Sequence, residues 1–291
     1  MRVPNFKTEE GAILYSNTVG KLIAPRVADR LREAVEKETA SRPVADVLDL
    51  GCGPGTVSLR LATDHPEWNI IGVDSSHSMI GQCTVRAQEL GLRNARFMHM
   101  DAAQRLNEPF DLAVCNLAFP FFNKPRESML ALHDALRPDG VTLLTVPGRT
   151  TWSEFFSVAE DVMGNMVSMA RPFLMKFTQA EALSDALRDA GFADITETSW
   201  EIPFTFSAGV DVLAFFGELF HLLEYSPPAM RAELAATIDS RFPDGFTMHY
   251  EARMVRARRP RTLANPDANP DASCDENPDE KTGVKSDSKS D

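Results

Sequence analysis

The sequence predicts an α/β fold, in which a parallel sheet of seven strands is flanked by helices. Apolar runs of strand length alternate with segments of helical spacing, most regularly through the first 150 residues. Several of the helical segments close with glycine or with Pro-Asp-Gly, as helix ends commonly do. The predicted strands are 45–50, 69–73, 95–100, 112–117, 141–146, 195–200 and 247–255. The predicted helices between them are 56–63, 78–90, 126–136 and 180–190.

Three further segments are helical but stand outside this alternation. Residues 8–36 form an amphipathic helix before the first strand, within an N-terminal lead-in or lid of residues 1–40. Residues 152–173 and 203–242 are rich in Phe and Met and too long for simple connections. We expect these two insertions to pack as a helical cap on one edge of the sheet, within a domain of residues 41–263.

The last segment, residues 264–291, repeats Asn-Pro-Asp three times and has Val284 as its one large aliphatic residue. So little apolar surface cannot offset the entropy lost on ordering, and we expect a disordered acidic tail. The tail holds eight carboxylates and three lysines, so it contributes −5 to the net charge of −12. The remaining −7 disfavours a nucleic-acid partner, because such proteins usually carry a basic surface.

The cysteine spacing indicates a reducing environment. Cys52, Cys83, Cys115 and Cys274 form no Cys-x-x-Cys pair and have no histidine at zinc-finger distance, so neither a disulfide framework nor a metal site is predicted. No apolar run reaches about 18 residues, and the N-terminal segment has no apolar core of a secretion signal. These features predict a cytoplasmic protein with no membrane partner.

The sequence around Gly51, Gly53 and Gly55 predicts a ligand-binding corner. A buried strand runs into these glycines, and a helix begins directly after them. Glycines let the backbone approach a ligand closely, and the helix N-terminus offers free N–H groups to an anionic group. The spacing is Gly-x-Gly-x-Gly, whereas the dinucleotide fingerprint is Gly-x-Gly-x-x-Gly, so NAD is disfavoured.

Acidic residues end the first three predicted strands. Asp49 lies within a strand end, where a carboxylate needs a cationic or N–H partner, and a bound ammonium group would provide one. Asp74 follows Gly51 by 23 residues, about where an acidic residue accepts hydrogen bonds from a ribose diol. The third strand ends at Asp101 and Ala102 on the same edge. Three strand ends therefore converge on one crevice.

Five segments together resemble the class I S-adenosylmethionine-dependent methyltransferases, of the type that acts on small molecules. In order, they read VLDLGCGPG, GVDSSHSMI, MHMDAA, FDLAVCNLAF and LRPDGVTLLTV. The later segment AEALSDALRDAGFADI resembles that family's helix before the sixth strand. The resemblance implies a Rossmann-like, mostly parallel seven-stranded sheet with an antiparallel last strand, and S-adenosylmethionine as cofactor.

The resemblance also implies how the cofactor is held. Its methionine moiety would lie at Asp49 and the glycine loop, its ribose hydroxyls would bind Asp74, and its adenine amino group would bind Asp101. The adenine ring would lie against Ser75 and Met79. Four further positions complete the predicted cofactor site: Cys52, Ala102, Asn116 and Leu117.

The fourth strand ends in CNLAFPFF, which would face the transferred methyl group. Residues 116–119 resemble the Asn-Pro-Pro-aromatic motif of methyltransferases acting on amino groups of nucleobases and glutamine. Leu117 and Ala118 replace the two prolines, which disfavours those acceptors. Phe119, Phe121 and Phe122 can line an acceptor pocket or pack in the core. The same two alternatives hold for Phe216 and Phe220 in the second insertion.

His221 and His249 are the two histidines placed to reach the crevice as a general base, which an acceptor hydroxyl or protonated amine would need. The predicted activity is in-line methyl transfer to oxygen, nitrogen or carbon of a small, apolar or aromatic acceptor, without a metal. Methylation of a protein or tRNA, and a non-catalytic subunit that binds the cofactor, are the alternatives. A homodimer is also left open.

Overall fold

The computed structural model describes residues 8–164, 167, 180–220 and 226–261. The chain divides into a compact unit, Met1–Pro260, and a second unit, Arg261–Asp291, and every element below belongs to the first. The predicted tail, residues 165–166 and 168–173 of the first cap insertion, and residues 221–225 of the second, which include His221, lie outside the described residues.

The sheet has the predicted seven strands, in the order β3-β2-β1-β4-β5-β7-β6. Strands β1 to β5 are parallel, and β7 is antiparallel to both of its neighbours, which confirms the predicted topology. The strand order reverses between β1 and β4, the place where open α/β sheets form a ligand crevice. The strands are β1 Asp46–Leu50, β2 Asn69–Asp74, β3 Ala95–His99, β4 Phe110–Asn116, β5 Leu136–Pro147, β6 Ala193–Phe206 and β7 Phe246–Arg258.

Helices cover both faces of the sheet, and alternate residues of each strand point to opposite faces. Val47 of β1 packs with Leu31 and other residues of α3 and α4, whereas Leu48 packs with residues of α6 and α8. The helices are α1 Glu9–Asn17, α2 Val19–Leu22, α3 Ala24–Thr39, α4 Ser58–Asp64, α5 His77–Glu89, α6 Pro125–Ala135, α7 Ser153–Met163, α8 Ala180–Asp189, α9 Gly209–Phe220 and α10 Pro228–Arg241. No helix among the described residues has the length and apolar character that crossing a bilayer requires.

The N-terminal lead-in is three helices rather than the single helix predicted over residues 8–36. The backbone leaves the helical region at Thr18, with φ −118° and ψ −97°. The Thr18 hydroxyl donates to the Leu14 carbonyl at 2.6 Å, which satisfies an acceptor at the end of α1. This break ends α1 and separates it from α3.

Two strands are longer than predicted. Residues 203–206, expected within the helical cap, continue β6, whose pairing with β7 runs on to Phe206 and Phe246. Pro203 is tolerated because β6 is an edge strand. The Pro-Asp-Gly segment, predicted to close a helix, belongs to β5, where the Gly140 carbonyl accepts a hydrogen bond from Arg259 N at 2.8 Å.

The helical cap forms around an aromatic core of its own. Helices α7, α9 and α10 pack with β6 and β7 about Trp152, which is 3% exposed. The Trp152 ring meets Phe204, Phe215 and Tyr250 edge to face, with ring centroids 5.1–5.4 Å apart. Such pairs are favourable for aromatic quadrupoles.

Candidate functional site

A cavity of about 220 Å³ opens at the carboxyl ends of β1, β2 and β4, where the strand order reverses. It contains most of the positions predicted to hold the cofactor. These are Gly51, Gly53, Asp74, Ser75, Met79, Asp101, Ala102, Asn116 and Leu117. They come from the ends of β1, β2, β3 and β4 and the loops that follow, so the cavity includes the three strand ends predicted to converge.

Gly51 and Gly53 of the glycine loop line this cavity, whereas Gly55 and Asp49, also predicted at the site, do not. Gly51, Gly53 and Gly55 have φ values of +74°, +54° and +85°, which side chains other than glycine rarely adopt. A Cβ atom on Gly51 would lie 2.4 Å from the Cβ atom of Ala118. Glycine is therefore needed at position 51 both for its backbone conformation and for the close approach of β1 to the segment after β4.

Asp49 is buried behind the glycine loop. Its Oδ2 accepts hydrogen bonds from the Ser58 N at 3.1 Å and from the Ser58 hydroxyl. Its Oδ1 is buried without a partner among the described residues. Burial raises the pKa of Asp49 to about 6, and the negative charge of Asp74 adds to the increase. An unpartnered carboxylate oxygen at this place fits a cationic ligand group.

Asp74 is held rigidly between the glycine loop and α5. Its Oδ2 accepts from Gly53 N at 3.0 Å, and its Oδ1 accepts from Ser76 N at 2.8 Å. Ser76 also caps α5 by accepting from Met79 N at 3.4 Å. These bonds orient the carboxylate at the cavity wall before a ligand arrives.

Aromatic side chains also line the cavity. The predicted Phe121 and Phe122 are among them, together with Tyr15 of α1 and Asn123, which the sequence did not predict. Burial raises the pKa of Tyr15 above its usual range, and the charges of Asp74 and Asp49 raise it further, so the phenol stays protonated. The position of Tyr15 in a predicted lid helix was the available signal, although nothing in the sequence oriented its ring.

Two residues predicted as acceptor contacts lie in the core instead. Phe119 is 4% exposed and packs beneath the cavity with the residues that face α6. Phe216 is fully buried and stacks on Phe155, with ring centroids 3.9 Å apart. Of the two alternatives that the sequence left open, both residues therefore follow core packing, because their rings fill the space between packed elements. The side chain of Phe220 lies outside the described residues.

Cys52 and His249, also predicted at the site, do not line the cavity. A hydrogen bond with Cys83, together with burial, holds the pKa of the Cys52 thiol well above its usual range. His249 Nδ1 lies 2.7 Å from Glu154 Oε1, in a pair between β7 and α7. The structure therefore gives His249 a partner within the cap and no contact with the cavity.

Comparison with known proteins agrees with this geometry. Residues 47–140 match the family model described as "Methyltransferase domain". The chain is 38% identical over 106 residues to trans-aconitate 2-methyltransferase of Deinococcus radiodurans, covering 36% of this chain and 39% of that protein. It is 23% identical over 252 residues to a malonyl-[acyl-carrier protein] O-methyltransferase of Paenibacillus sp., covering 82% and 91%. These comparisons support a domain of the class I, S-adenosylmethionine-dependent methyltransferase type over residues 47–140.

A solved methyltransferase shares the fold. Phosphoethanolamine N-methyltransferase 2 of Haemonchus contortus, in complex with phosphomonomethylethanolamine and S-adenosylhomocysteine, superposes with a TM-score of 0.55 at 17% identity. The alignment covers 88% of this chain and 58% of that one. Identity is higher in the trans-aconitate methyltransferase, but there the match spans well under half of the relative's length.

Proposed function

We propose that the protein is an enzyme that transfers a methyl group from S-adenosylmethionine to a small acceptor with an apolar or aromatic body. The observation that carries this proposal is that one cavity brings together carboxylates, glycines of the loop after β1, and aromatic rings. The carboxylates and glycines suit an adenosyl group, and the aromatic rings suit the acceptor.

The chain offers a partner for each part of the cofactor. Asp49 would hold the ammonium group, because its Oδ1 is buried without a partner among the described residues. Asp74 would bind the ribose hydroxyls with its remaining lone pairs, and Asp101 and Met79 would border the adenine. When bound, S-adenosylmethionine supplies a methyl group activated by a positively charged sulfur. The protein then mainly has to align the acceptor, and such positioning contributes roughly 7–11 kcal/mol to catalysis.

The aromatic side chains that line the cavity favour an uncharged or cationic acceptor. Phe121, Phe122 and Leu117 present apolar surface, whereas the carboxylates of Asp74 and Asp101 make the cavity electronegative. An acidic acceptor, such as the carboxylic acids in the names of the two curated relatives, would be repelled by these groups. The protonated Tyr15 phenol can donate a hydrogen bond to an acceptor oxygen or nitrogen, but it does not act as a base at neutral pH.

The test combines binding and transfer. Asp74→Asn keeps the shape of the side chain and removes its charge, so S-adenosylhomocysteine binding measured by calorimetry should weaken by about 1.5–3 kcal/mol. Asp189→Asn, at an exposed position of α8, is the matched control and should bind as the wild type does. Label from methyl-labelled cofactor should pass to neutral aromatic metabolites. Absence of cofactor binding at millimolar concentration refutes the proposal, and label found only on protein or tRNA refutes its acceptor class.

A further inference from the structure

We propose that Thr145, acting through Asn116, is a positioning residue that fastens the N-terminal segment, and with it Tyr15, against the cavity. Thr145 lies in β5, directly beside Asn116 at the end of β4. It is fully buried and does not line the cavity, so it contacts no ligand. The inference rests on the proposed function in one respect only, which is that the cavity is taken to be the cofactor site.

The first step is a hydrogen-bonded chain that crosses three elements. The Thr145 hydroxyl donates to Asn116 Oδ1 at 2.8 Å. Asn116 Nδ2 donates to the carbonyl oxygen of Ala24 at 3.1 Å, at the start of α3. The two partners fix the orientation of the amide, because its oxygen faces a donor and its nitrogen faces an acceptor. The Asn116 amide therefore ties the sheet to the lead-in helices.

The second step concerns the hydroxyl at position 145. While Thr145 Oγ1 donates to Asn116, it also accepts from Leu117 N at 3.1 Å, and Leu117 N shares its hydrogen with the Thr145 carbonyl oxygen at the same distance. Leu117 has φ +59°, a strained conformation for a leucine, and it lines the cavity. The hydroxyl thus serves as donor and acceptor at once, which valine cannot do and serine can.

The third step connects Ala24 to Tyr15. Ala24 and its neighbour Ile23 are buried in one apolar cluster with Leu117, and Tyr15 packs against that cluster. A second hydrogen bond, from the Ser16 hydroxyl to Gln82 Oε1 at 3.2 Å, ties α1 to α5. The position of the Tyr15 ring at the cavity therefore depends on where the α2–α3 junction is held.

The strand provides a matched control at Thr142. This residue is also fully buried in β5, but its hydroxyl has no hydrogen-bond partner among the described residues. Thr142→Val makes the same chemical change as Thr145→Val and breaks no bond of this chain. Asn116→Asp tests the second link alone, since the acid keeps an acceptor for Thr145 and turns an oxygen toward the Ala24 carbonyl.

The experiment measures hydrogen exchange of the full-length variants without ligand, peptide by peptide. Thr145→Val and Asn116→Asp should speed exchange of residues 9–24 about tenfold, the loss expected for one buried hydrogen bond, with residues 125–135 of α6 changing less than about twofold. Thr145→Ser and Thr142→Val should stay within about twofold of the wild type over residues 9–24. Binding of S-adenosylhomocysteine should weaken in the first pair and not in the second.

The proposal is overturned if Thr145→Val leaves the exchange rate of residues 9–24 unchanged, or if it speeds exchange in α6 to the same extent. It is also overturned if Thr142→Val reproduces the effect of Thr145→Val, because burial of a methyl group would then explain both. Exchange is measured without cofactor, so failure of the wild type to bind S-adenosylhomocysteine would refute the proposed function and leave this result standing.

Discussion

Gly51→Ala is expected to destabilise the protein through two separable effects. The first is the φ of +74°, which costs an alanine about 1–2 kcal/mol. The second is the contact of the new methyl group with Ala118 Cβ at 2.4 Å, a distance that forces one of the two segments to move. Such overpacking typically costs about 1–3 kcal/mol. The free energy of unfolding should therefore fall by about 2–5 kcal/mol.

A control and a rescue separate the two effects. Gly91 has φ +67° and open space around its position, so Gly91→Ala should cost only the backbone term of about 1–2 kcal/mol. In Gly51→Ala combined with Ala118→Gly, the side-chain atom nearest to the new methyl group becomes Phe122 Cε1 at 3.5 Å, an ordinary contact. The double variant should regain about 1–3 kcal/mol of the free energy of unfolding that Gly51→Ala loses, because the contact is relieved. The added glycine would reduce this gain by up to about 1 kcal/mol.

The assay is urea denaturation with linear extrapolation, followed by far-ultraviolet circular dichroism. The slope of the free energy of unfolding against urea concentration should be the same in the wild type, the two single variants and the double variant, because each buries nearly the same surface. The reasoning is refuted if Gly51→Ala costs no more than Gly91→Ala, or if adding Ala118→Gly deepens the loss. Either result would mean that the close approach of the glycine loop to the segment after β4 is not a constraint on residue 51.

Two further predictions concern a buried acid and the tail. Because the pKa of Asp49 is raised to about 6 in the folded protein, its protonated form is favoured by folding. This contribution is present below about pH 4 and is lost as the pH rises through 6, so relative to Asp49→Asn the wild type should lose about 2–3 kcal/mol of stability between pH 4 and pH 7. Denaturation at both pH values checks this, and an unchanged difference between the proteins contradicts it. Truncation after Leu263 should leave the melting temperature and cofactor affinity unaltered, and a clear loss of either would show that the acidic tail packs on the domain.

The sequence anticipated the sheet because its signals are local. Continuous apolar runs such as that of β1 indicate strands buried on both faces, and glycines mark the turns where only a positive φ fits. Strand ends were less well predicted. The extension of β6 through Pro203 depends on pairing with β7, more than 40 residues away, and no local pattern carries that information.

The sequence predicted only some of the residues that line the cavity. Asp74 and Asp101 reach it because carboxyl ends of neighbouring parallel strands meet at one edge, which the order of strands already implies. The sequence did not predict whether a given aromatic side chain lines the cavity or packs in the core. Phe119 and Phe122 are three residues apart in one apolar segment and their rings meet edge to face, yet only Phe122 reaches the cavity. Phe119 begins a short 3-10 turn, whereas Phe122 leaves that turn in an extended conformation, with φ −70° and ψ 128°.

The amino-acid sequence by itself determined the alternation of strands and helices, the glycine loop and the acidic strand ends. These follow from residue spacing and backbone preference within short segments. Only the tertiary structure decided that Tyr15 of the lead-in forms a wall of the cavity, that Phe216 is core, and that Asn116 ties β4 to α3. Each of these depends on contacts between segments far apart in the chain, where side-chain packing and hydrogen-bond geometry choose among conformations that local sequence leaves equally open.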